Sequence, residues 1–500
     1  MYLLGYDIGS SSIKAAVIDA ESGQLATRAS SPDTELDISA PKRGWAEQEP
    51  ETWWEHVKLA TAEMSGKLGE TMQDIAAIGI SYQMHGLVVV DKDHQALRPS
   101  IIWCDSRAVD IGEEAFRVLG PEYCLSHFLN SPGNFTASKL KWVKDNEPEL
   151  FSEIDRFMLP GDYIAMKLTG FSSTTESGLS EGILWDYVEK GLAQPILDQY
   201  GIPSDLVPEV YPSFSIQGKL TRGPAAELGL KPGIPLSYRA GDQPNNALSV
   251  NVLKPGELAA SAGTSGVVYG VSQSASYDQQ SRVNTFIHVN HDQDNPSYGV
   301  LLCVNGTGSL NSWLKGMLEG GGGSELSYKT MNRLAADIPI GSEDLIILPY
   351  GNGAERTLNN RDIGASIHNL QLNTHTQGHI LRAAQEGIAF ALNYGVGIMR
   401  EMGLEISTVR ATRSGMFLSP LYAEIFANVT GAVLELYDTD GAEGAARGAG
   451  IGAGIFKDPT DAFSGFNPIE VHEPIRELQE TYQEAYSKWY QVLKHFLPSI

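Results

Sequence analysis

The sequence predicts an α/β protein built from two similar halves. Three observations carry this. Strand-like apolar runs alternate with helix-like runs along the whole chain, the pattern of an α/β fold. A glycine–hydroxyl turn between two strands occurs early, at Asp7-Ile8-Gly9-Ser10-Ser11-Ser12, and again at Gly263-Thr264-Ser265-Gly266, shortly after Gly241-Asp242. At 500 residues the chain is too long for one ordinary core. The two turns also align with each other, Gly9 to Val17 against Gly263 to Val271. A hairpin with such a tip lets a phosphate approach the backbone. Two of them imply a nucleotide held between the halves.

The elements follow in order. Tyr2–Asp7 and Ile13–Ile18 are predicted strands, followed by a Glu21-Ser22-Gly23 turn. Pro50 to Lys67 predicts a helix, with proline near its start and Trp53, Trp54 and Val57 on one side. Ile75–Ser81 and Leu87–Val90 are strand-like, with Gln83-Met84-His85-Gly86 between them. Residues 136–144 and 160–169 are helix-like, and 203–235, rich in Pro and Gly, suggests loops with short elements. Strands return at Glu257–Ser261, Val267–Val271 and Tyr298–Val304. The Gly320-Gly321-Gly322-Gly323-Ser324 stretch has no strand feeding it and is expected to be a flexible loop. Residues 377–402, 442–456 and 473–496 predict helices, the first two carrying small residues for close packing. The boundary between the halves is expected near 245–255, dividing the chain into 1–248 and 249–500.

Composition narrows the function classes. Apolar residues make up 42% and charged residues 19%, a globular mixture. The net charge of −25, from 61 acidic and 36 basic residues, argues against nucleic acid and against an anionic membrane surface as partners. Bound ATP would need local neutralisation by Mg²⁺ and backbone N–H groups. Three scattered cysteines, Cys104, Cys124 and Cys303, offer neither a disulfide framework nor zinc spacing. With no leader-like start and no long apolar span, a cytoplasmic enzyme is the expectation. No G-x-x-x-x-G-K-[ST] is present, so P-loop chemistry loses its support. His288 and His291 lie on a predicted Thr285–Asn290 strand. Positions three apart face opposite sides there, which disfavours a metal pair.

The chain resembles the FGGY-type carbohydrate kinases. The residues that carry the resemblance are Asp7-Ile8-Gly9-Ser10-Ser11, Gly44-Trp45-Ala46-Glu47-Gln48-Glu49-Pro50, Gln83-Met84-His85-Gly86, Trp103-Cys104-Asp105-Ser106-Arg107, Leu159-Pro160-Gly161-Asp162-Tyr163, Gly241-Asp242 and Glu355-Arg356-Thr357. Their order and spacing match from end to end. The resemblance implies two ribonuclease-H-like domains of the actin and hexokinase type with a cleft between them. Residues 1–248 would form the sugar side and 249–500 the ATP side. The Met84-His85 pair and the Trp103 to Arg107 run are typical of members that phosphorylate xylulose. The implied reaction is ATP-dependent conversion of D-xylulose to D-xylulose 5-phosphate, with another ketose or polyol (ribulose, erythrulose) and a weakly catalytic sugar sensor as alternatives.

Site residues follow from the resemblance. Position alone leaves Asp242 open between an Asx-turn aspartate and a catalytic one; the resemblance implies the general base on the sugar hydroxyl. Asp7 would sit near Mg²⁺, through water. Ser10 and Ser11 would donate to phosphate oxygens, with Lys14 close by. Met84 and His85 would contact the sugar, the histidine as a donor. Trp103 would offer an apolar face and Asp105 an acceptor. Gly263, Thr264, Gly308, Gly415 and Ser419 would line the nucleotide. Relatives of this type are often dimers, so a homodimer is the implied assembly beside a small-molecule sugar.

Three stretches depart from the family pattern. Arg413-Ser414-Gly415-Met416-Phe417 replaces a glycine run, Thr175 to Gly182 replaces a Ser-Asp-Ala-Ser-Gly-Thr type segment, and Gln243 follows Asp242 in place of Asn.

Overall fold

The computed structural model describes residues 1–319, 326–353 and 355–497. The expected loop at 320–324 lies outside the described residues. Among the described residues the chain forms two main sheets, of six and seven strands.

In the first sheet Leu25–Ser31, Ile13–Asp19 and Tyr2–Ile8 pair antiparallel in that order. Ile75–Tyr82 and then Pro235–Gly241 join Tyr2–Ile8 in parallel. The second sheet repeats the plan. Tyr298–Val304, Gly266–Ser272 and Glu257–Ala262 pair antiparallel, and Thr408–Thr412 and Val433–Tyr437 continue in parallel. Each glycine–hydroxyl turn therefore joins the first two strands of its own sheet, as the internal repeat predicts. Phe214–Lys219 adds an edge strand to the first sheet, within the stretch expected to be loops. Its pairing to Pro235–Gly241 is interrupted by a register shift, and the exposed and buried sides are reversed from its apolar–polar alternation, with Ile216 exposed and Gln217 buried.

Each sheet builds its own core. Leu4, Tyr6, Ile13, Val17 and Ile80 pack with Trp53 and Val57 of the helix Pro50–Leu68. Leu258, Val268, Leu302 and Val409 pack with Ile388 and Leu392 of the helix Gln377–Glu401. Fully buried Trp53 alone is worth about 3–5 kcal/mol against alanine.

The sheets are tied together by the helix Gly441–Gly452. It follows a strand of the second sheet but lies on the first. Its small residues make this contact possible. A Cβ at Gly5 would stand 1.9 Å from Ala442 O, and one at Gly79 would stand 2.1 Å from Ala445 O. The helix Asp242–Ser249 leaves the first sheet beside it, and Asn245 Nδ2 donates to Gly441 O at 2.8 Å. Both connections meet at the floor of the space between the sheets. No helix among the described residues is long and apolar enough to cross a membrane.

Candidate active site

Two adjoining cavities open between the sheets. The larger, about 1130 Å³, is lined by the first turn, by Gln83, Met84, His85 and Trp103, and from the second half by Ser265, Cys303 and Arg356. The smaller, about 420 Å³, is lined by Gly263, Thr264, Thr412, Ser414 and Asp440. Asp7, Gly9, Lys14, Asp242 and Gln243 line both. Asp242 thus stands where the cavities meet.

Its position follows from local structure. Pro235–Gly241 is a buried parallel strand, and Asp242 is the first residue of the helix that succeeds it. The strand end aims the carboxyl group into the cleft. Burial, and next the charge of Asp7, push Asp242 up to about 7. A carboxylate in that range is suited to accept a hydroxyl proton near neutral pH. Asp7, near the end of Tyr2–Ile8, which lies beyond Ile75–Tyr82 in the same sheet, is also raised, chiefly by burial, and is opposed by Lys14, its cross-strand partner. A Cβ at Gly441 would lie 2.5 Å from Asp7 Oδ2, so only glycine leaves that oxygen room.

The donor set fits Mg²⁺. Asp7, Asp242 and Asp440 offer only hard oxygen ligands around the smaller cavity. Among the described residues no three His, Cys, Asp or Glu side chains are grouped closely enough to hold a metal ion by themselves.

The first turn is supported by residues far away in sequence. Gly9 N donates to Ser12 O at 3.1 Å, closing the tip. Gln48 Nε2 donates to Ser10 O at 2.7 Å, and Trp103 Nε1 donates to Ser10 Oγ at 3.2 Å. Trp103 is 45% exposed and lines the larger cavity. The second turn is held by the helix Gly308–Glu319, where Gly308 N donates to Gly263 O at 2.9 Å and Ser309 N to Thr264 O at 3.1 Å. Gly415, at φ +56°, backs onto the same turn, where a Cβ would meet Ala262 O at 2.2 Å.

Met84 and His85 line the larger cavity as expected. His85 is neutral near pH 7, its pKa pushed down to about 3 by burial and then by the charge of Lys139. Its Nδ1 lies 3.0 Å from the main-chain oxygen of Glu181, an atom that only accepts, so a hydrogen on Nδ1 completes that contact. With the hydrogen there, Nε2 is an acceptor toward the cavity, whereas the resemblance implies a donor.

Two expected site residues are engaged elsewhere. Asp105 is fully buried and does not line the cavity. Its oxygens accept from Ala46 N at 2.6 Å and from Arg107 Nε and Nη2 at 3.0 and 2.6 Å. Arg107 in turn lies 3.8 Å over the Trp45 ring and bonds Glu47. Asp105 joins the Trp103 and Trp45 motifs to each other and has no free lone pair aimed at a sugar. The Ser419 side chain is also buried. Its Oγ accepts from Tyr422 N at 3.3 Å, capping the helix Pro420–Thr430.

Sequence reasoning missed two groups. Glu181, buried behind His85, is held well above the ordinary carboxyl range by burial. Arg356 was noted only as part of a motif. Its guanidinium lines the larger cavity and bonds the hydroxyls of Ser131 and Ser281 at 3.0 and 3.2 Å. His288, by contrast, has both ring nitrogens occupied, by Tyr269 Oη at 2.9 Å and Val252 O at 3.1 Å.

Residues 2–249 match the N-terminal domain of the FGGY family of carbohydrate kinases, and residues 258–455 match its C-terminal domain. The xylulose kinase of Bacillus subtilis is 29% identical over 463 residues, spanning 91% of this chain and 89% of that protein. The L-xylulose/3-keto-L-gulonate kinase of Escherichia coli is 28% identical over 508 residues, spanning 100% and 97%. The crystal structure of xylulose kinase from Rhodospirillum rubrum shares the fold with a TM-score of 0.88 over 99% of each chain, at 27% identity.

Proposed function

The chain belongs to the FGGY family of carbohydrate kinases, and on that premise we propose that it transfers the γ-phosphoryl group of ATP to D-xylulose, giving D-xylulose 5-phosphate. The observation that carries the reading is the place of Asp242, lining both cavities with its carboxyl group pushed up to about 7.

The ketose occupies the larger cavity against Met84, His85 and Trp103. The phosphates of ATP lie over the turns at Ser10-Ser11 and Gly263-Thr264, whose exposed tips offer N–H groups and hydroxyls. Recognition is divided between 1–248 on the sugar side and 249–500 on the ATP side. Asp242 accepts the proton of the attacking hydroxyl as the new O–P bond forms and the bond to the ADP oxygen breaks. Asp7 would hold Mg²⁺ through water; when bound, the ion neutralises charge on the phosphates. Lys14 adds a positive charge at the junction. Closure of the cleft about the two connecting helices keeps water from taking the phosphoryl group.

A second reading has one observation behind it. Arg356 presents a guanidinium in the larger cavity without a carboxylate ion pair among the described residues. Such a group suits an acidic keto sugar as well as a neutral one. ADP release measured with D-xylulose, ribulose, erythrulose and a keto-aldonate separates the readings. Preference for D-xylulose, with the product phosphorylated at the terminal hydroxyl, supports the first. Preference for the acid replaces it.

A further inference from the structure

Glu181 closes the helix Glu176–Glu181, in the segment that departs from the family pattern. It touches His85, 96 residues away, at two places. Oε2 accepts from His85 N at 2.9 Å, and the main-chain oxygen meets Nδ1 at 3.0 Å. His85 sits at φ +62°, a conformation that needs such support in a non-glycine residue. The rings of Phe135 and Phe286 pack on the imidazole at 4.8 and 5.5 Å and fix its plane. The carboxyl group is wedged between His85 and the residue before the proposed base, because a Cβ at Gly241 would lie 3.2 Å from Glu181 Oε1. The motif places His85 by the sugar; it does not say which proton state His85 shows.

We propose that Glu181 is a positioning residue: its carboxyl group holds the His85 main chain in place and its main-chain oxygen keeps the proton on Nδ1, so that Nε2 faces the cavity as an acceptor and selects substrates with a hydroxyl donor at that point. A neutral imidazole has one N–H, and a carbonyl oxygen only accepts, so the proton on Nδ1 leaves a lone pair on Nε2. No side chain or main-chain group among the described residues bonds that nitrogen. A substrate carrying a carbonyl or no oxygen there leaves the lone pair unsatisfied, and such sites reject analogues strongly. The inference rests on the larger cavity being the sugar site.

The test has two arms. In apo protein labelled with ¹⁵N-histidine, the His85 imidazole, assigned by its loss in His85→Gln, is expected to show a protonated Nδ1 and an unprotonated Nε2. In steady-state kinetics with D-xylulose and MgATP, Glu181→Ala is expected to raise the sugar KM about tenfold, the loss of roughly one supported hydrogen bond, and leave the ATP KM unchanged. Glu181→Gln keeps an acceptor for His85 N and is expected to stay within about threefold of wild type on the same grounds. If Glu181→Ala does not fold, the glutamine variant and the spectrum carry the test. A proton on Nε2 in the wild type, or an unchanged sugar KM in Glu181→Ala, overturns the proposal. Absence of wild-type turnover with any keto sugar instead removes the functional reading, while the spectrum still decides the proton state.

Discussion

Trp103 Nε1 donates to Ser10 Oγ at 3.2 Å, joining a side chain of the sugar cavity to the tip of a phosphate turn. The bond gives the two substrates a shared contact. Trp103→Phe keeps an apolar face and loses the donor. It is expected to lower kcat/KM about fivefold, the worth of one hydrogen bond near 1 kcal/mol, with the ATP KM affected as well as the sugar KM. Trp103→Ala removes the face too and is expected to raise the sugar KM by about tenfold or more. Initial-rate kinetics with each substrate varied in turn checks both.

Asp242 works at a cost in stability, and its pH dependence gives the sign. Its pKa rises from an ordinary aspartate value in the unfolded chain to about 7 in the fold. Folding is therefore favoured by this group at low pH, and that contribution is lost as pH rises through about 7. Asp242→Asn removes the charge and keeps the shape. Without Mg²⁺ its Tm is expected to exceed the wild type's at about pH 8, with the gap closing toward about pH 4. Calorimetry across that range checks it.

Asp105 is a structural anchor in this fold. Asp105→Asn leaves Arg107 with a weakened partner beneath the Trp45 ring. Arg107 keeps its bond to Glu47, so the cost is expected to fall below the roughly 3–5 kcal/mol of a buried charge left wholly unpaired. The expected outcome is a lower denaturation midpoint, with little change in sugar KM for the protein that remains folded. A large KM change at unaltered stability would point instead to a direct contact with sugar.

Gly308 bears on the ATP side. A methyl group there would stand 2.3 Å from Gly263 O and 3.5 Å from Thr264 N. Gly308→Ala must push the second turn away from the helix that holds it. The expected result is a raised KM for ATP with the sugar KM unchanged, read from the same two-substrate kinetics.

Much of this was legible because it is local. A strand, a glycine–hydroxyl tip and a second strand lie within about twenty residues, and both hairpins form where the repeat predicts them. The helices around Trp53 and Ala383 follow their apolar and small-residue spacing. What escaped was set by distance. The setting of His85 depends on Glu181, 96 residues later, and the engagement of Asp105 depends on Ala46, 59 residues earlier. A motif tells that a carboxylate is present, and only the packing tells whether its lone pairs are already taken. The Phe214–Lys219 strand escaped because it is short, lies in the Pro- and Gly-rich stretch 203–235 and exposes Ile216 while burying Gln217.

The most direct measurement is sugar-dependent ADP release by wild type and Asp242→Asn with MgATP and D-xylulose, followed from about pH 5.5 to 8.5. The account predicts wild-type turnover whose kcat/KM rises with pH through about 7 as Asp242 loses its proton, and a loss of about 100-fold or more in kcat for the folded variant. Near-normal turnover by Asp242→Asn, or a wild-type profile flat across that range, contradicts it.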